Sequence, residues 1–130
     1  MPDQSFAVRD AVNAYNVQVD LIMKFFAFLQ VVSVAVAGFM WTSKPGAHAH
    51  WPVACAFILF AVGNGVLLSH AYRVCCEVAR VIEEHLATAD DIQPKLRKIA
   101  IAFRPYPAWQ IVGAHVFVDI VTLAAIVKAP

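Results

Sequence analysis

His115 and Asp119 stand four residues apart in a long stretch that holds no other charged side chain. On an α-helix that spacing places an imidazole and a carboxyl one turn apart on one face. Such a couple could hold and pass a proton, or contribute to a cation site. Thr122 continues the same face. In a second apolar stretch Gln30, Ser33 and Ala37 share a helical face, and in a third Asn64 sits between Gly63 and Gly65. Gln30, Ser33, Asn64, His115, Asp119 and Thr122 thus form a candidate polar layer. Its two uses would be hydrogen-bonded glue between helices or a path for protons or cations. Ala61 and Gly65 add a small-xxx-small spacing that permits close helix approach.

A second set is His70 with His115. Imidazole is a common axial ligand of haem iron, so haem b is the cofactor these two could hold. Their depths along the helices differ by roughly 7 Å on a 1.5 Å rise per residue, which suits a haem standing along the helix direction poorly. A third set is the His-x-His pair His48 and His50, which supplies half of a metal site, with no Cys, Asp or Glu nearby in sequence. Cys75 and Cys76 are adjacent, and Cys55 lies far from both in sequence. The chain has no Walker loop, no Gly-x-Ser-x-Gly, no His-Glu-x-x-His and no CxxC. The expectation is a component without catalysis of its own.

The elements that must position these residues are legible in where charge is missing. No Asp, Glu, Lys or Arg falls in the 19 residues between Lys24 and Lys44, or in the 28 between Lys44 and Arg73. From Arg104 to Lys128 only Asp119 interrupts. A helix needs about 20 mainly apolar residues to cross about 30 Å of hydrocarbon. Three spans fit: Leu21–Trp41, Pro52–Tyr72 and Ala108–Val127. Runs such as FFAFLQVVSVAVAGFMW are apolar all round, where a soluble helix shows one stripe. Composition agrees. The chain is 61% hydrophobic and 15% charged, against about 45–50% and about 25% for soluble domains. A net charge of +1 offers no basic field for nucleic acid. The partners expected are the lipid bilayer and further copies of itself or other membrane subunits.

Orientation follows from Lys and Arg. Arg9 before span one and Lys24 in its first turn, with Arg73, Arg80, Lys95, Arg97, Lys98 and Arg104 between spans two and three, number eight. The loop Thr42–Trp51 and the C-terminal tail hold one each, Lys44 and Lys128. The positive-inside rule then puts the N-terminus in the cytoplasm and the C-terminus outside. Trp41, Trp51, Tyr72, Tyr106 and Trp109 sit at span ends as interfacial anchors. The first twenty residues do not read as a cleaved leader, and the expected location is a cell inner membrane.

Helices one and two are expected to run on past the spans into a short cytoplasmic helical stem built from 6–20, 73–88 and 94–104. Val8, Val12, Tyr15, Val19 and Ile22 recur at helical spacing on the first piece. Val74, Val78, Val81 and His85 do so on the second, with Arg73–Glu77 and Arg80–Glu84 as i,i+4 pairs. Thr88–Gln93 breaks the helix, Asp90 or Asp91 caps the next, and Leu96, Ile99 and Phe103 share a face of the third piece.

Two partial likenesses accompany this architecture. The fragment LLSHAY, the three spans and the length loosely resemble the membrane anchor subunits of complex II, without the basic and serine set those anchors use around quinone. The three spans, amphipathic N-terminal helix and extended second helix are similar in shape to bacterial diacylglycerol kinase, whose Glu-x-x-Asn signature is absent from AVGNGVLLSHAY. The chain is therefore expected to be all-α: an integral membrane protein forming a single membrane domain over residues 1–130 and acting as a subunit of a homo- or hetero-oligomer. The alternatives are a pore-forming or proton/cation transport element and a haem-binding redox anchor.

Overall fold

The computed structural model describes residues 4–88 and 106–130, all helical apart from short connections. Three helices, α1 (Gln4–Ser43), α2 (Ala47–Thr88) and α3 (Ala108–Val127), make up the described chain. Each is long and apolar enough to cross a membrane. The expected third piece of the stem, 94–104, its cap at Asp90 or Asp91 and the face of Leu96, Ile99 and Phe103 lie outside the described residues, as do the side chains of Val8 and His85.

α1 runs for 40 residues because neither Gly nor Pro appears between Pro2 and Gly38. It ends where Lys44 turns to φ 43° and Gly46 to φ 82°, a left-handed conformation that glycine adopts at no steric cost. The backbone N–H of Ala49 then donates to Gly46 O at 3.1 Å, and α2 begins. The connection is thus Lys44, Pro45 and Gly46, shorter than the expected loop Thr42–Trp51. Ala47–Trp51 contains no helix breaker, so the helix starts directly after Gly46 and Pro52 falls inside it. Proline there supplies no N–H to the His48 carbonyl. α3 starts after Pro107, whose extended backbone (φ −53°, ψ 137°) turns the chain into the helix, and Lys128 N closes it on Ala124 O at 3.0 Å.

The chain divides into two compact units, Met1–Ile22 with Ser69–Tyr106, and Met23–Leu68 with Pro107–Pro130. The divisions fall near Leu21, Tyr72 and Ala108, each at one end of a predicted span.

In the first unit Tyr15, Cys75 and Ile82 form a buried cluster, with Ala11, Val12, Ile22, Val78 and Ala79 against it. This face differs from the predicted one. Val19 and Val81 are exposed, at 37% and 51%, while Ala71 and Cys75 are buried. The small side chains of Ala71 and Cys75 admit a close neighbour that valines would hold away, and this rotates the contact face toward Ile82. Of the two expected ion pairs Arg80–Glu84 forms, while Glu77 pairs elsewhere. Arg80 reaches both Glu77 and Glu84 at 2.9 Å, so Glu77 is held from the C-terminal side rather than by Arg73. Both pairs are exposed, where such contacts contribute little to stability. Tyr72 donates its hydroxyl to Tyr106 O at 3.0 Å.

In the second unit parts of all three helices meet. Met40, Ala54, Phe57, Ala61, Ile126 and Ala129 form its core, with Val36, Val53, Phe60 and Leu123 beside them. The indole N–H of Trp41 donates to Ala125 O at 3.1 Å, joining α1 to α3. Most of the remaining apolar surface faces outward: Leu59 and Trp51 are 75% exposed and Val34 73%.

Candidate functional site

Four polar residues of the second unit are buried: Ser33, Asn64, His115 and Thr122. α3 brings His115 and Asp119 to one face, as the four-residue spacing requires. His115 Nε2 lies 3.3 Å from Asp119 Oδ2 and 3.2 Å from the Ala61 carbonyl of α2. With the hydrogen on Nε2, the Ala61 carbonyl accepts from it while the Asp119 carboxyl stands beside the ring. Gly65, one turn beyond Ala61, makes this approach possible. A Cβ there would stand 3.1 Å from His115 Nε2. Phe26 of α1 meets the imidazole edge-on, with ring centres 6.4 Å apart and planes at 89°. The imidazole is therefore fixed by all three helices.

Beside this pair lies a groove of about 290 Å³ between α2 and α3, lined by Ile58, Ala61, Val62, Gly65, His115, Asp119 and Leu123. No other titratable side chain lines it. Two buried polar atoms of the pair, His115 Nδ1 and Asp119 Oδ1, find no hydrogen-bond partner among the described residues. A carboxyl and an imidazole at this separation can share or exchange one proton between Oδ2 and Nε2.

The rest of the predicted layer is distributed differently. The Asn64 amide donates to Phe25 O at 3.4 Å and so ties α2 to α1. Thr122 donates to Val118 O of its own helix at 2.8 Å. Ser33 and Thr122 line a second groove of about 280 Å³ between α1 and α3, together with Gln30, Val34, Ala37 and Phe117. Gln30 is exposed at its edge, and Ser33 Oγ is buried without a partner.

His70 is exposed and falls in the first unit, whereas His115 is buried in the second with Nε2 engaged. His48 and His50 stand two residues apart in the opening turn of α2, where helical geometry turns their side chains about 200° from each other. Among the described residues no three His, Cys, Asp or Glu side chains gather into a metal-binding group.

Sequence reasoning did not find the Ala61 carbonyl, the Phe25 carbonyl or Phe26. The small-xxx-small spacing of Ala61 and Gly65 was the available signal for the first, since it marks where a neighbouring side chain can reach the backbone. No family model, curated protein or solved structure matches the chain.

Proposed function

We propose that this chain is a multi-pass inner-membrane protein, N-terminus in the cytoplasm, that serves as a non-enzymatic subunit of an oligomeric membrane assembly. The observation that carries this is how little each helix hides within the chain. Only 11%, 28% and 17% of the most apolar windows of α1, α2 and α3 are buried. In water each large apolar side chain left outside forgoes about 1.5–3 kcal/mol of burial, so a lone soluble molecule is disfavoured. Lipid resolves that cost for valine, leucine and phenylalanine. It does not resolve it for Gln30, whose exposed carboxamide lies within the apolar part of α1. An amide facing hydrocarbon gains from a protein partner. The first unit, with charged Arg80, Glu77 and Glu84 outside an apolar cluster, suits a cytoplasmic stem.

Purification from native membranes in mild detergent, followed by native mass spectrometry, tests the proposal. The expected result is a multimer or a stable companion. A lone monomer, confirmed by single-molecule counting in bilayers, discards it.

The 3.3 Å separation of His115 and Asp119 favours a second reading, a proton or cation element at the α2–α3 groove. Ionisable groups at membrane depth are costly and commonly mark such paths. Proteoliposome flux that vanishes in Asp119→Asn supports it. Equal flux in both forms, or none in either, removes it.

A further inference from the structure

We propose that the His115–Asp119 pair binds one exchangeable proton, held on the Asp119 carboxyl, and has no place for a metal cation. This rests on the proton or cation reading above and names the cargo of that same site.

The space a metal ion would need is already taken by the ring. His115 Nε2 lies 3.2 Å from the Ala61 carbonyl and 3.3 Å from Asp119 Oδ2. A Cβ on residue 65 would stand 3.1 Å from the same nitrogen, and Phe26 meets the ring edge-on. The imidazole therefore has little room to make way for an ion. The donor set is too small as well. Magnesium and calcium take about six to eight oxygen ligands, and a dehydrated sodium or potassium ion needs a shell of oxygens in place of its water. Here one carboxyl and one carbonyl stand among Ile58, Val62 and Leu123. Zinc takes about four ligands, and among the described residues no third His, Cys, Asp or Glu joins the pair.

A proton needs neither a ligand shell nor volume. Asp119 Oδ1 and His115 Nδ1 are buried without a hydrogen-bond partner, whereas polar groups serving only as glue between helices would be satisfied. A carboxyl in an apolar setting sheds the cost of its charge by taking up a proton. The Nε2 hydrogen is engaged by the Ala61 carbonyl, so the imidazole is complete as a neutral ring and the proton belongs to Asp119. No Lys or Arg lines the groove. With one proton the pair is neutral. With none a bare carboxylate remains, and with two an imidazolium remains, each without a counter-charge. Among the described residues His115 is the titratable group that acts on Asp119. α1 presents Phe26 to the pair and α2 presents Ala61 and Gly65, none of which titrates. The Asp119 side chain keeps 19% of its surface exposed and lines the groove, which gives the proton its way in and out.

The test uses the full chain in phosphatidylethanolamine–phosphatidylglycerol liposomes. Infrared difference spectra read the carboxyl, and nitrogen shifts of the labelled imidazole read His115. One undissociated-acid carbonyl band is expected. It should shift in heavy water, vanish as the pH is raised, and be missing at every pH in Asp119→Asn. Asparagine has the shape of the neutral acid, so that variant should keep the His115 shifts of the protonated chain. The titration of the unmodified chain stands without the variant. At fixed pH, sodium, potassium and zinc should leave band and shifts unmoved. Displacement of the band by any of these ions overturns the proposal. So does an absent band, a band that persists at every pH the fold survives, or the shifts of an imidazolium paired with a carboxylate. If the band titrates as expected but no proton flux depends on Asp119, the transport reading falls and the proton site stands. Sodium or potassium flux abolished by Asp119→Asn keeps the transport reading and removes this inference.

Discussion

His115 Nε2 and Gly65 approach so closely that a Cβ on residue 65 would lie 3.1 Å from the ring nitrogen. The imidazole has little room to retreat, held between the Ala61 carbonyl, Asp119 and Phe26. Gly65→Ala should therefore push the ring off its two oxygens and destabilise the second unit by about 1–3 kcal/mol. Gly63→Ala is the control. Nothing lies within 4 Å of its would-be Cβ, so it should be neutral or slightly stabilising through helix propensity. Unfolding in mixed micelles of graded denaturing detergent measures both.

Asp119 stands 3.3 Å from His115 Nε2. Asp119→Leu leaves Nε2 with the Ala61 carbonyl alone and should cost about 0.6–2 kcal/mol. Nitrogen chemical shifts of the labelled imidazole report the change directly. They should move in Asp119→Leu and remain unmoved in Val62→Ala, which alters the same groove without touching the ring's partners.

The rotated contact face of the first unit separates two neighbouring residues. Ile82 is 2% exposed and Val81 51%. Ile82→Ala should destabilise by about 2–5 kcal/mol, whereas Val81→Ala should stay within about 0.5 kcal/mol. Equal effects from the two substitutions would restore the face predicted from valine periodicity.

Thiol chemistry checks both burial and the proposed topology. Cys75 is buried, Cys76 half-buried and Cys55 exposed. In the proposed orientation Cys76 faces cytoplasmic water and Cys55 faces lipid. A membrane-impermeant maleimide added to inverted vesicles should label Cys76 first, Cys75 after unfolding, and Cys55 at neither stage unless lipid is removed. Peptide mass spectrometry reads the order. Labelling of Cys76 from the opposite face would reverse the proposed orientation.

The three crossing-length helices were legible because charge is absent over stretches long enough to be counted, and His115 with Asp119 because one helix carries both. What escaped sequence reasoning has two physical sources. Backbone carbonyls of Ala61 and Phe25 accept from His115 and Asn64, and a carbonyl has no residue letter to signal it. The facing of each helix is set by small side chains as much as by large ones. Ala71 and Cys75 turn inward while Val81 turns out, which valine counting cannot foresee. Gln30 shows the same effect within one predicted face. Ser33 is buried three residues later, yet Gln30 stays outside, since a helix face about 60° wide can straddle the boundary between interior and exterior.

An ordinary helix resists bending because every turn is tied to the next. α2 lacks one such tie, between the His48 carbonyl and Pro52, near its start. The short entry segment ahead of Pro52 is thus the cheapest part of α2 to re-angle. A change of angle there, together with the α1–α2 connection, leaves the turns that carry Phe57 and Ala61 seated.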